Sequence, residues 1–221
     1  MKFAFPIKLH SGLNSIITQE YGNKNMVEWY KANGVDINEH NGTDIILSGH
    51  TSKTYGSELI CPFPKGKVVK TWFDNPMSTK GNGTLIQSEP FEEDGIQKIV
   101  QFLLWHCSEI VTSKIDFVEG ETIAYVGNSG LVRPAPRPDC AYCGSHLHLG
   151  MFEYHFIDGV WIQRDADNGL SGALNPMERI DISKIYYGDD TGFDKDLAPA
   201  VWSLESILGK VKDWYSILKG R

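Results

Sequence analysis

From Thr84 to about Trp161 apolar and polar residues fall into short runs, TLIQSE, KIVQFLLWH, ETIAYVG, HLHLGMFEY and VWIQ. Runs of this length, rich in Ile, Val, Leu and aromatic residues, read as β-strands. The punctuation around them, DNP, GNG, EEDG and GNSG, is Gly, Asn, Asp and Pro, the residues that suit tight turns. Earlier in the chain TDIIL and GKVVKTWF read the same way, while MVEWYKAN fits a short helix or an ordered loop. The pattern predicts a mainly β fold built from antiparallel strands.

Two segments break the pattern. GLVRPAPRPDCAYCGS carries Pro134, Pro136 and Pro138, and repeated proline has no place in a paired central strand. It is expected to be a long loop leading into the strand HLHLGMFEY, and long ordered loops often line binding sites. At the other extreme, APAVWSLESILGKVKDWYSILKGR places Val201, Leu204, Leu208, Val211, Tyr215 and Leu218 at alternating spacings of three and four. That is a helix with an apolar seam, widened by Trp202, Ile207, Trp214 and Ile217. The chain therefore divides into residues 1–190 and a C-terminal amphipathic helix over 191–221. The helix could pack on its own domain, on a second copy, on a larger assembly such as a virion, or on a membrane surface.

Composition narrows the partners. With 221 residues and 41% apolar side chains, the chain can bury a real core. A formal charge of −7 gives no general attraction for nucleic acid or an anionic bilayer, so neither is an expected partner. No uncharged apolar run approaches the roughly 20 residues of a membrane-spanning helix. In MKFAFPIKLH the apolar run is interrupted by Pro6 and ends at Lys8, and no secretory signal is read there. Cys61, Cys107, Cys140 and Cys143 are too scattered for a disulfide scaffold, and a structural zinc site would need a second pair. They are expected to be inert or locally paired thiols.

The candidate chemistry lies in three places. In GSHLHLGMFEYHF, His146 and His148 are one residue apart, so on a strand they share a face while Leu147, Leu149 and Met151 point the other way. In EHNGTD, His40 and Asp44 flank an Asn41-Gly42 turn, with Gly42 expected to supply the backbone angles of the bend. In WHCSE, His106 ends an apolar strand. A lone histidine on such a strand is usually structural, and His10, His50 and His155 are read that way. Together, however, the three segments offer His, Asp and His with two further histidines. A catalytic zinc needs such a set: three protein ligands, an open position and acid/base groups nearby.

The arrangement His40-x-x-x-Asp44, then His106, then His146-x-His148, resembles the lysostaphin-type, or LytM-like, zinc endopeptidases. The likeness extends from about Ile17 to Tyr154, with ITQEYG similar to the family's opening strand, CPFPKGKVV to its hairpin, and VEGETIAYVGNSG and GSHLHLGMFEY to two later segments. It implies the family's antiparallel β core with loops around a zinc groove, Zn²⁺ held by His40, Asp44 and His148, and His106 and His146 as catalytic histidines. It further implies a metalloendopeptidase cutting peptide bonds in bacterial peptidoglycan, in stem-peptide crosslinks or glycine-containing bridges. Without a secretory signal, such an enzyme would reach the cell wall as a phage endolysin, as a virion-associated lysin or by another export route. The alternatives are a cell-wall-binding or hydrolase-activating module without activity, and an assembly domain that binds no metal. Glu39 stands where many members have Gly, and the proline-rich insertion is longer than in the shortest members. Tyr142, in that insertion, is expected to be an ordinary loop aromatic beside the groove.

Overall fold

The structure, a computed structural model, describes residues 1–10, 12–48, 51–73 and 81–187. The helix expected over 191–221 lies outside the described residues, as does His50. Strands account for 43% of the described residues and helices for 6%, so the fold is mainly β as the pattern predicts.

The first half contributes β1 (Ser15–Gln19), α1 (Val27–Ala32), β2 (Thr43–Leu47), α2 (Thr51–Thr54), β3 (Glu58–Ile60) and β4 (Lys65–Trp72). After it come β5 (Gly83–Ser88), β6 (Phe91–Glu93), β7 (Ile96–Trp105), β8 (Cys107–Ile110), β9 (Asp116–Val118) and β10 (Thr122–Val126). The long β11 (Leu147–Ile157) and β12 (Val160–Gln163) close the list of strands. Among the described residues one large sheet runs in the order β1-β2-β11-β7-β5-β4-β9, with β12 on β11 and β6 on β7. A second, three-stranded sheet runs β3-β10-β8, and all the strand pairings in both sheets are antiparallel.

Strand alternation decides which side chains become core and which become groove. On β11, Leu147, Leu149 and Met151 are fully buried and pack with Val100, Phe102 and Leu104 of β7. The same cluster takes in Leu59, Ile110, Ile123 and Val126 from the small sheet, so the core joins the two sheets. Phe63 stacks on Phe102 with ring centroids 5.2 Å apart, and Phe3 meets Phe63 edge-on at 4.7 Å. The N-terminal MKFAFPIKLH is part of this core: Phe3, Phe5, Ile7 and Leu9 are buried, and the segment bridges to Ile180, Leu59 and Tyr187. The opposite faces of β11 and β7 carry His148, Phe152, Tyr154, Leu103 and Trp105, which line a groove of about 800 Å³.

His106 sits where the chain leaves β7 in the large sheet and enters β8 in the small one. Its φ is 64°, a left-handed conformation that costs a non-glycine residue roughly 1–2 kcal/mol. The crossing holds an imidazole in a strained backbone position at the end of the groove.

Candidate metal centre

β2 and β11 lie side by side with Asp44 directly opposite His148. Ile45 and Leu47 bury one face of β2, which leaves Asp44 on the groove face. His40 reaches the same point from the loop before β2. That loop is fixed by two backbone bonds, Gly22 N–H to His40 O at 2.8 Å and His40 N–H to Asn23 O at 2.9 Å. Gly42 does not have a positive φ, so the bend itself does not call for glycine. A Cβ there would stand 2.6 Å from His148 Nε2 and 2.7 Å from Leu149 O, so glycine is needed to let the His148 ring and β11 approach.

Three donor atoms converge. His40 Nε2 is 3.2 Å from Asp44 Oδ1, His148 Nδ1 is 3.0 Å from Asp44 Oδ1, and the two imidazole nitrogens are 3.1 Å apart. All three residues are buried. A tetrahedral zinc ion with bonds of about 2.0–2.1 Å has ligand-to-ligand edges of about 3.3–3.4 Å, close to those observed. His40 Nδ1 donates to Glu20 O at 3.2 Å, and a carbonyl only accepts, so His40 Nε2 carries the lone pair. Two acceptors, His40 Nε2 and Asp44 Oδ1, thus face one another at a distance that needs a proton or a metal ion between them. The chemistry of the donor set fits a divalent cation of borderline softness such as zinc.

The electrostatics point the same way. Burial alone would raise the Asp44 carboxyl, but the surrounding imidazoles of His146, His148 and His40 hold it well below the ordinary carboxylate range. Burial lowers His148, against the opposing pull of Asp44. Tyr30 of α1 stacks on His40, planes within 6° and centroids 6.4 Å apart, and donates its hydroxyl to Gln19 Oε1 at 3.3 Å. Burial and Asp44 raise the Tyr30 phenol, so it remains a donor.

His106 and His146 stand beside this triangle, ring centroids 4.6 Å apart. His106 Nδ1 donates to Ser129 O and His146 Nδ1 to Gly144 O, each at 2.7 Å. Both rings therefore present Nε2 as the free nitrogen, and His146 Nε2 is 3.7 Å from Asp44 Oδ1. Burial, then the neighbouring His146 and His148, depress His106 well below the ordinary imidazole value, which keeps it neutral at pH 7. The structure thus brings His40, Asp44, His106, His146 and His148 to one end of the groove.

The remaining readings resolve simply. Glu39 turns to Lys24 at 2.9 Å rather than toward the donors. Cys140 and Cys143 form a disulfide within the proline-rich loop, and Cys61 and Cys107 are buried free thiols. Tyr142 packs on Tyr55, centroids 4.6 Å apart, and is not part of the groove lining. His155 bonds Glu153 at 2.7 Å. The supporting residues Tyr30, Gln19 and Ser129 do not stand out in the sequence, because their roles arise from contacts across the fold. Only the turn GNSG hinted at Ser129, whose hydroxyl bonds Cys107 O at 2.9 Å and pins the loop against His106.

No protein-family model matches the chain, and no curated protein matches it. Among solved structures it is similar to a zinc-containing peptidase from Vibrio cholerae, at 18% identity over 82% of this chain with a TM-score of 0.46. The chain spans 41% of that protein's length. It is also similar to LytU, at 22% identity over 74% of this chain and 82% of that one, TM-score 0.44. Lysostaphin matches at 19% identity over 79% of this chain and 53% of that one, TM-score 0.43.

Proposed function

We propose that the chain is a zinc-dependent metalloendopeptidase that hydrolyses peptide bonds of bacterial peptidoglycan, in stem-peptide crosslinks or glycine-containing bridges. The observation that carries this reading is the convergence of His40 Nε2, Asp44 Oδ1 and His148 Nδ1 beside two imidazoles whose Nε2 atoms are free. The substrate class follows from the resemblance of the His-x-x-x-Asp, His and His-x-His segments to lysostaphin-type enzymes.

His40, Asp44 and His148 would hold the ion, and a set of three protein ligands would leave it able to bind water or substrate. When bound, zinc supplies Lewis acidity that polarises the scissile carbonyl and lowers the pKa of water toward about 7. His106 and His146 act on protons. Their Nδ1 atoms are committed to backbone carbonyls, so each accepts or returns a proton only at Nε2, at the groove end where peptide and water meet. The depressed basicity of His106 keeps it unprotonated and ready to accept. Once protonated, either ring can donate to the oxygen that gains charge as the carbonyl is attacked.

The test measures metal content and hydrolysis together. Purified chain and its His148→Ala variant are incubated with peptidoglycan, and released fragments are identified by mass spectrometry. New amine termini produced only by the zinc-loaded wild type establish the endopeptidase and name its bond. A folded, zinc-loaded protein that releases nothing from varied cell walls overturns it.

A further inference from the structure

One rung of the large sheet runs straight out from the donor triangle. Asp44 on β2 faces His148 on β11, His148 faces Trp105 on β7, Trp105 faces Gly83 on β5, and Gly83 faces Trp72 on β4. A Cβ on Gly83 would meet the Trp105 ring at 2.1 Å, so glycine leaves the room that indole occupies. With neighbouring strands about 4.8 Å apart, Trp72 lies roughly 14 Å from His148. An extended peptide covers that span in about four residues at roughly 3.4 Å each.

Two places in the groove carry a cation on an indole. Lys70 Nζ sits 4.8 Å from the centroid of the Trp72 ring, and the Arg133 guanidinium lies 5.9 Å from that of Trp29 on α1. All four residues line the groove. Neither cation has a carboxylate partner among the described residues. Among the described residues the groove lining contains one acidic residue, Asp44, which the donor triangle already uses. This is the reverse of the chain as a whole, where 28 acidic residues outnumber 21 basic ones. An uncharged peptide has no use for two unpaired cations held in place by indole rings, whereas a peptide with free carboxylates does.

We propose that the groove selects acidic peptides, with Lys70 and Arg133 as specificity-determining residues that each receive a substrate carboxylate, the one at Lys70 about four residues from the cleaved bond. This inference rests on the endopeptidase reading above and names the chemistry of its substrate.

The test uses the zinc-loaded full chain and a crosslinked stem-peptide dimer in two forms, one with free carboxylates and one with those groups converted to carboxamides. The acid form should be cleaved with a kcat/KM about ten-fold higher at low salt, about three-fold for each cation, the difference lying in KM. The preference should shrink as salt is raised. Lys70→Gln and Arg133→Gln should each move the ratio toward one, and Lys70→Arg should restore it, with zinc content and thermal midpoint as checks on folding. Equal rates on the two forms by the wild type, or a preference that survives in the double Gln variant, overturn the proposal. Binding of an uncrosslinked stem peptide in the same two forms separates this inference from the reading it rests on. If neither dimer nor whole peptidoglycan, glycine-bridged walls included, is cut but the acid peptide binds better through Lys70 and Arg133, the endopeptidase reading falls and the carboxylate selection stands. If both dimers are cut at one rate, the reverse holds.

Discussion

Strand β11 carries two buried polar clusters five residues apart, on opposite faces and built on opposite terms. On the groove face, Asp44 meets the nitrogens of His40, His146 and His148, and no lysine or arginine. On the core face, Glu153 takes two contacts from Arg179, Nε at 2.8 Å and Nη2 at 2.6 Å, and one from His155 at 2.7 Å. Arg179 also reaches Glu93, which pairs with Lys98 at 2.9 Å and with the N-terminal ammonium. The second cluster is closed, since each charge faces a permanent opposite charge. The first is open, since a lone pair and a carboxylate face each other and only an added cation satisfies both. A buried carboxylate among imidazoles is a site, whereas one against a guanidinium is a lock.

The widest separation between the two comes from removing one carboxylate at a time. Asp44→Ala should lose stoichiometric zinc and the hydrolysis it supports while the chain still folds. Lewis-acid stabilisation is worth several kcal/mol, which at 1.36 kcal/mol per tenfold is a loss of roughly 10³-fold or more. Fragment release, bound zinc and a thermal melt on the same sample decide it; a variant that keeps its activity would remove Asp44 from the metal set. Glu153→Ala should do the opposite. It leaves the Arg179 guanidinium with Glu93 as its remaining carboxylate partner in a nearly closed site, so the loss should stay below the roughly 3–5 kcal/mol typical of a buried charge left wholly unpaired. Urea unfolding should show that loss, while the folded fraction still binds zinc one to one.

A smaller effect probes the scaffold between ligand and lock. Gly42→Ala places a methyl within 2.7 Å of backbone Leu149 O and of the His148 ring. Overpacking of this kind costs about 1–3 kcal/mol, and displaced support around a ligand commonly weakens metal binding about 10–100-fold. Zinc competition titration should therefore show weaker binding in a protein of only modestly reduced stability. Unchanged affinity would mean that the β2–β11 approach is not what sets the ligand geometry.

The open cluster is far more legible in the sequence than the closed one. His146 and His148 declare their face by strand alternation, His40 and Asp44 bracket a turn, and the apolar residues between them announce a core. The same alternation cannot say that Glu153 faces inward to an arginine 26 residues away, because that depends on where the chain returns after β12. Nor does it expose the N-terminal ribbon, whose Phe3, Phe5, Ile7 and Leu9 alternate through a proline and pair only by isolated bridges. Strands of three or four residues, β3, β6, β8, β9 and β12, are too short to show a period, and of these the apolar run VWIQ alone marked its strand, β12. Gly42 shows the limit most sharply. A sequence records that glycine stands at a turn, but the imidazole packed against it comes from a strand more than 100 residues later.

Acid sharpens the same contrast with the smallest expected effect. Burial pushes Glu153 upward, but the hydrogen bonds from His155 and Arg179 outweigh it and hold the carboxyl below its ordinary value of 4.5. The folded state therefore binds that proton less readily than the unfolded chain. The stability contributed by Glu153 is fully present above 4.5 and is lost as pH falls through the folded value. Asp44 is depressed as well, so acid sensitivity of the wild type alone would not assign the effect. Subtracting the stability of Glu153→Gln from that of wild type, both under chelator, cancels the Asp44 contribution because both proteins retain it. The difference in urea midpoint should be constant from pH 7 to about pH 5 and narrow below 4.5. A gap that stays the same down to pH 3 would show that the Glu153 charge, as opposed to the packing of its side chain, adds nothing to the lock.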